Sequence, residues 1–308
     1  MEAVQPTVRQ SPVTVGKVLR ALRAFSLPAS VGPVFVAVAA VRPPSQWRWD
    51  VLIVSAAGAG LLHLVGNLLN DYFDFLNHVD RRTHDDEFRP GRLLVHRLLL
   101  PRDVLAEAVG CLVLALAAGA YILWRCGPAV LWFALAGAAG AYAYTGPPLR
   151  LKYRAMGEIV IFLVFGPLLM LGAAWAQTGH LEMAAFLPSI PIGLATTAIL
   201  VGNNFRDRQE DAQAGIRTIG SFADGRFARG LYLFLVPASV LGLAAIGASG
   251  AGPRGLLATL LAGPLMIKPL AALWKGRRVP DIDAQTARFE TALLVLAFAA
   301  YLARSWTG

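Results

Sequence analysis

VLIVSAAGAGLLHLVGNLLNDYFDFLNHVDRR, residues 51–82, joins a long uncharged apolar run to a dense polar cluster with no turn signal between them. The run from Val51 to Leu69 carries no carboxylate, lysine or arginine. As a helix, a run of that length crosses the roughly 30 Å of hydrocarbon in a bilayer. The polar part then begins at what would be the membrane surface. Asn67, Asp71 and Asp74 recur at helical spacing, and Asn70 and Asp74 are also four apart, so one broad face of the helix end carries all of them.

The rest of the 308-residue chain repeats the first half of this pattern. Hydrophobic residues make up 56% of it and charged residues 15%, against about 25% charged in an ordinary soluble domain. Apolar blocks predict nine transmembrane helices at about 18–41, 49–70, 103–124, 128–146, 157–177, 183–203, 227–248, 254–273 and 287–304. The expected fold is therefore an all-α polytopic membrane bundle around a central cavity, open sideways to lipid. Alternating strand patterns are absent, which argues against a β-barrel. Of the 28 lysines and arginines, 23 fall at the N-terminus or in the loops after spans two, four, six and eight. The other five are Arg42, Arg48, Arg125, Arg254 and Arg304. The positive-inside rule then puts the N-terminus in the cytoplasm and the C-terminus outside, and the expected location is the cell (inner) membrane. Orientation accounts for the net charge of +9, so no nucleic-acid partner is expected. Residues 1–16 read as a polar cytoplasmic tail without a secretory signal, and residues 17–308 as one transmembrane domain. Cys111 and Cys126 lie too far apart along one helix to pair.

A second polar cluster, GNNFRDRQEDAQAGIRT at residues 202–218, closes span six as the first closes span two. Asp207 and Asp211 share a helix face, with Asn203 one turn before Asp207 and Arg206 and Arg217 flanking. An even number of crossings separates the clusters, so both emerge on one side, as in a duplicated four-helix unit. Carboxylates and amide oxygens are hard ligands suited to Mg²⁺, which is commonly held by one or two carboxylates plus substrate phosphates. Two facing clusters could hold ions around one diphosphate and neutralise it as it leaves an allylic carbon. One Asp pair alone would read as solvated interfacial charge; two on equivalent helix ends argue against that. A transporter would place acids at mid-span, where almost no ionisable groups occur, and would break helices at the midplane. A CDP-alcohol phosphotransferase would carry one long Asp-rich signature, which is absent. His63, inside span two, reads as a packed or hydrogen-bonded histidine.

At these residues the chain resembles the UbiA superfamily of intramembrane prenyltransferases, over about residues 20–303. The resemblance implies nine transmembrane helices, two Asp-rich motifs in cytoplasmic loops, and a Mg²⁺–polyprenyl diphosphate between them. Asn70, Asp74 and Asp80 match the first motif, with Asp80 at +10 from Asn70, and Asp207 and Asp211 match the second. The resemblance implies a metal set of Asn70, Asp74, Asp80, Asp207 and Asp211, with Mg²⁺ or Mn²⁺ as cofactor and Asp74, Asp207 and Asp211 essential to catalysis. Asn67, Asn203 and Arg206 match the polar residues beside the motifs. Tyr144 and Lys152, in YTGPPLRLKYRAMGEIVIFLVFGP (144–167), fall where the family lines its diphosphate pocket. Arg23, in LRAFSLPAS (22–30), is similar to a first-helix arginine near the acceptor. Gly157-Glu158 resembles a branch signature without an assigned role for Glu158.

The +10 spacing, NNFRD and YTGPPLRLKY resemble the branch that prenylates 1,4-dihydroxy-2-naphthoate in menaquinone synthesis. DDEFRPGRLLVHRLLLPRD (85–103) is similar to animal UbiA-domain enzymes, and PDIDAQTARF (280–289) to the family's signal before the last helix. The chain departs from the pattern at Asn77-His78, where family members often have glycine. The implied partners are a polyprenyl diphosphate, an aromatic acceptor with dihydroxynaphthoate favoured, and the lipid bilayer. Other acceptors within the superfamily are 4-hydroxybenzoate, homogentisate and porphyrin-type substrates.

Overall fold

The computed structural model describes residues 26–76, 94–95, 99–213, 215, 217–277 and 279–307; the N-terminal tail expected at 1–16 lies outside them. Among the described residues the architecture is helical, and the one β-type pairing is a single parallel bridge between Arg154 and Arg217. In chain order the helices are α1 (Pro28–Val41), α2 (Trp49–Leu76), α3 (Pro101–Cys126), α4 (Val130–Thr145), α5 (Gly157–Thr178), α6 (Met183–Gln213), α7 (Arg226–Ala248), α8 (Arg254–Trp274) and α9 (Ile282–Thr307). Seven of these are long and apolar enough to cross a membrane, while α1 and α4 are apolar but shorter, at 14 and 16 residues.

Side-chain exposure is what a lipid solvent predicts. Trp124, Trp132 and Trp274 are each more than 75% exposed, and Leu114, Leu116 and Leu261 also face outward. Asp71, Asp74, Glu158, Asp211 and Glu290 are buried. Water would drive the leucines in and leave the carboxylates out; hydrocarbon reverses that pressure. The main apolar core is built from α1, α5, α6, α7, α8 and α9, with α9 packed on α8, α1 and α6. α3 pairs with α2 and buries only Val104, Ala108 and Ala115.

Two helices are longer than the hydrophobic runs that specify them. α2 has 28 residues and α6 has 31, or about 42 and 46 Å at 1.5 Å per residue. The helix of span two, expected to end near residue 70, continues to Leu76, and that of span six, expected to end near 203, continues to Gln213. Asn70, Asp74, Asp207 and Asp211 thus stand on helical extensions rather than in loops. Repeated i, i+4 polar pairs and the absence of Gly and Pro from 67–76 and 203–213 let the helices run on past the apolar segment. α2 and α6 share little packing of their own. α1 and α5 each touch both, so they link the two motif helices.

α5 is set against α6 by a close crossing. Its middle, Val164–Leu168, is a π-helical turn containing Gly166 and Pro167. The lack of a side chain at Gly166 lets the backbones meet: a Cβ there would lie 2.7 Å from the Ser189 carbonyl oxygen and 3.0 Å from the Gly193 Cα. Small residues at such crossings bring membrane helices into close contact. Gly166→Ala is therefore expected to cost about 1–3 kcal/mol through overpacking and to lower the thermal midpoint of the purified protein. Gly137→Ala on α4, where the nearest side-chain atom is 3.9 Å away, should leave the midpoint unchanged.

Candidate functional site

The first motif is assembled by α2 and by the loop that follows α4. Asp74 is 5% exposed, and both of its carboxylate oxygens accept hydrogen bonds. Lys152 Nζ donates to Oδ2 at 2.6 Å and the Tyr153 hydroxyl to Oδ1 at 2.7 Å. The same Nζ donates to Asn70 Oδ1 at 2.9 Å, so Asn70 and Asp74 share a face as their spacing predicts. Lys152 and Tyr153 lie in a short 3₁₀ turn, Leu151–Tyr153. Arg150 and Ala155, with φ of 47° and 56°, bracket that turn in the left-handed region. Outside glycine this conformation costs about 1–2 kcal/mol per residue, so the surrounding contacts must hold the loop in place. Tyr144 packs at the loop's foot, where a Cβ at Gly157 would lie 2.8 Å from its Cε2. Asn67 points elsewhere: its amide donates to Ser26 Oγ at 3.2 Å, and that hydroxyl also meets His63 Nε2 at 3.0 Å. His63 is thus hydrogen-bonded and packed edge-on against Phe165.

The second motif is built on α6. Arg206 holds Asp207 bidentately, Nε on Oδ1 at 2.7 Å and Nη2 on Oδ2 at 2.9 Å, and the same nitrogen bonds Asn203. A third side of the guanidinium meets Asp283 at the start of α9, 2.6 Å away. One turn beyond Asp207, Asp211 accepts a 2.8 Å hydrogen bond from the buried Thr218 hydroxyl. Thr218 reaches it because the chain after α6 folds back on the helix, with Gly220 so close that a Cβ would overlap the Asn204 carbonyl oxygen. Asn204 in turn donates to Glu158 at the base of α5, at 2.7 Å, with both residues buried.

The two motifs meet electrostatically. Burial pushes the Asp211 carboxyl up to about 6; the Thr218 bond and the Lys152 charge oppose this, and Asp207 and Asp74 add to it. A carboxyl on α6 thus feels both the acid and the base of the α2 motif, and the backbone bridge from Arg154 to Arg217 ties their loops together. Among the described residues no three of His, Cys, Asp and Glu converge tightly enough to hold an ion unaided. The donor set instead fits Mg²⁺ bound by one or two carboxylates and completed by phosphate oxygens. The mutual repulsion of Asp74, Asp207 and Asp211 is a cost that divalent cations would remove.

Arg23 and Asp80, expected near the acceptor and in the metal set, lie outside the described residues. Tyr153, Thr218 and Asp283 contact the motifs but were not singled out from the sequence. Tyr153 sits beside Lys152 in the quoted YTGPPLRLKY, Thr218 closes GNNFRDRQEDAQAGIRT, and Asp283 lies in PDIDAQTARF, so all three fall within recognised segments. Glu290 was missed as well. It is fully buried in α9 and bonded to Thr196 of α6, within spans whose interiors read as holding almost no ionisable groups. A separate pocket of about 230 Å³ between α7 and α8 is lined by apolar residues such as Val236, Leu260 and Met266 and offers no polar chemistry.

Comparison with known proteins gives a consistent result. The profile of the UbiA prenyltransferase family matches residues 30–295. UbiA prenyltransferase domain-containing protein 1 of Gallus gallus is 36% identical over 70% of this chain and 64% of its own length. The homolog from Drosophila melanogaster is 33% identical over 71% and 61%. The chain thus spans less than two thirds of the length of these relatives. Among solved structures, a UbiA homolog from Archaeoglobus fulgidus bound to GPP and Mg²⁺ superposes with a TM-score of 0.64 at 18% identity, covering 92% of this chain and 99% of that one. An apo UbiA homolog from Aeropyrum pernix K1 gives 0.65 at 19%, covering 91% and 97%.

The raised Asp211 carboxyl has a consequence for stability. A carboxyl whose folded pKa lies above its unfolded value costs the fold stability as it ionises. That cost is absent below roughly pH 4, grows as pH rises to about 6, and is constant above. Asp211→Asn keeps an acceptor for Thr218 and removes the charge. In metal-free protein it should raise the thermal midpoint at pH 8, an effect of about 1–3 kcal/mol, with the advantage fading toward pH 4. A variant less stable than wild type at pH 8 would contradict this account.

Proposed function

The chain belongs to the UbiA prenyltransferase family, and from that premise we propose that it is an integral membrane prenyltransferase that transfers a polyprenyl group from an isoprenoid diphosphate to an aromatic acceptor, 1,4-dihydroxy-2-naphthoate in menaquinone synthesis. The observation that carries this reading is the convergence of two acidic motifs, each on a helical extension and each already matched by a cation. The solved homologs bound to GPP or DMAPP together with Mg²⁺ support a metal–diphosphate reading of that site.

In this reading Asn70 and Asp74 on one side, and Asp207 and Asp211 on the other, hold divalent cations whose charge stabilises the departing diphosphate. Asp80 completes the metal set. Lys152 contacts the diphosphate, Tyr144 lines the pocket beside it, and Asn67, Asn203 and Arg206 orient the surrounding polar groups. Arg23 lies by the acceptor. The prenyl tail enters a central cavity between α2 and α6 from the lipid side, so an apolar chain need not cross water. All nine helices span the membrane, α1 and α4 included. The N-terminal tail is cytoplasmic, the C-terminus is outside, and the site faces the cytoplasm of the cell membrane. The +10 acid spacing and the NNFRD and YTGPPLRLKY segments support the naphthoate acceptor.

Activity of the purified protein is expected to vanish in EDTA and return with Mg²⁺ or Mn²⁺. Asp74→Ala and Asp207→Ala should each lower kcat/KM by at least about 10²-fold, the scale of removing transition-state charge stabilisation. Full activity of either variant, or of wild type in EDTA, would reject the metal–diphosphate mechanism. Offered dihydroxynaphthoate and 4-hydroxybenzoate with one prenyl diphosphate, the enzyme should prefer the former; the reverse preference would overturn the acceptor alone.

A further inference from the structure

The two acidic motifs are neutralised by cations held in different ways. At the first, an ammonium stands 2.6 Å from Asp74 Oδ2 and 2.9 Å from Asn70 Oδ1. Asn70 and Asp74 are also the residues that would hold Mg²⁺, so the ammonium sits on the oxygens the ion would need. With Tyr153 on the other Asp74 oxygen, both carboxylate oxygens of Asp74 accept a hydrogen bond while Lys152 is in place. The Lys152 side chain is 12% exposed and that of Asp74 8%. A carboxylate so enclosed needs a counter-charge. Among the described residues Asn70 and Asp74 are the hydrogen-bonding partners of the Lys152 ammonium.

At the second motif the cation is anchored. Arg206 grips Asp207 with two nitrogens and is tied from behind to Asp283 on α9. If Asp207 turned to another ligand, Asp283 would still hold the guanidinium. Lysine and arginine suit these roles, one as a compact charge on a flexible stem and the other as a rigid planar fork.

Building on the metal–diphosphate reading of this site, we propose that Lys152 is an exchangeable counter-ion: it holds Asn70 and Asp74 in the metal-free protein, yields them to a divalent cation, and moves onto the diphosphate that arrives with it, while Arg206 stays anchored to Asp283. Metal alone must then displace the ammonium from both of its hydrogen-bonding partners, whereas metal with diphosphate gives it a new one. The exchange couples cofactor and substrate binding and suppresses metal binding at a site without substrate.

The test uses the full chain in lipid nanodiscs, with free Mn²⁺ followed by electron paramagnetic resonance. Lys152→Met should bind Mn²⁺ without diphosphate about tenfold more tightly than wild type, because a competing charge is gone. At saturating Mn²⁺ it should bind inorganic pyrophosphate about tenfold more weakly, having lost a phosphate contact. Lys152→Gln makes the same two shifts and serves if the methionine variant does not fold. Asp283→Asn should move the other way and weaken Mn²⁺ binding, because Arg206 is loosened onto Asp207. Unchanged or weaker Mn²⁺ binding by both Lys152 variants, or undiminished pyrophosphate binding, would overturn the exchange while leaving the metal–diphosphate function standing. No Mn²⁺ binding by wild type or variants would overturn both.

Discussion

Carboxylates gathered at the edge of a hydrocarbon slab repel one another and are poorly solvated, and much of this structure answers that constraint. Asp74, Asp207 and Asp211 are close enough for Asp211 to feel the other two. Among the described residues each is compensated differently: Asp74 by an ammonium and a phenol, Asp207 by a guanidinium shared with α9, and Asp211 by the Thr218 hydroxyl. The least compensated, Asp211, is the one whose carboxyl is pushed up to about 6. A soluble protein would let water do this work. Here loops fold back over the helix ends to supply the partners, which is why the chain after α4 and after α6 is pinned by a backbone bridge and by Gly220 lying against α6.

The helices that bear the acids are held from outside rather than against each other. α1 and α5 each pack on both α2 and α6, the Gly166 crossing fixes α5 against α6, and Glu158 ties the base of α5 to Asn204 beside the second motif. A polar seam along α9 does the same from the other flank, with Asp283 on Arg206, Thr286 on Tyr232 at 2.6 Å and Glu290 on Thr196. Buried hydrogen bonds between membrane helices contribute modestly, on the order of 0.6–2 kcal/mol each. Their value here is geometric: they fix where Asp207 and Asp211 point.

The sequence made the membrane architecture and the two motifs legible because both are local signals. Apolar run length marks the spans, and i, i+4 spacing places Asn70 with Asp74 and Asp207 with Asp211. What it concealed was pairing across distance. Nothing near Asp74 announces that Tyr153, 79 positions on, will donate to it. Asp283 reads as an ordinary acid in the first turn of a helix, and its role appears only when α9 docks on α6. Helix ends were misjudged for a related reason: hydropathy stops at the membrane surface, but helix propensity does not. Glu290 shows the limit of composition alone, since one buried carboxylate among apolar neighbours leaves no periodic trace.

The central claim is that the two motifs act together on metal ions around one diphosphate. The most direct measurement is a crystal structure with Mn²⁺ and a non-hydrolysable prenyl diphosphate analogue, with the metal located by anomalous scattering. The account predicts anomalous peaks between the diphosphate and both motifs, in contact with Asn70 or Asp74 on α2 and with Asp207 or Asp211 on α6. Metal confined to one motif, or absent from both while the analogue is bound, would contradict it.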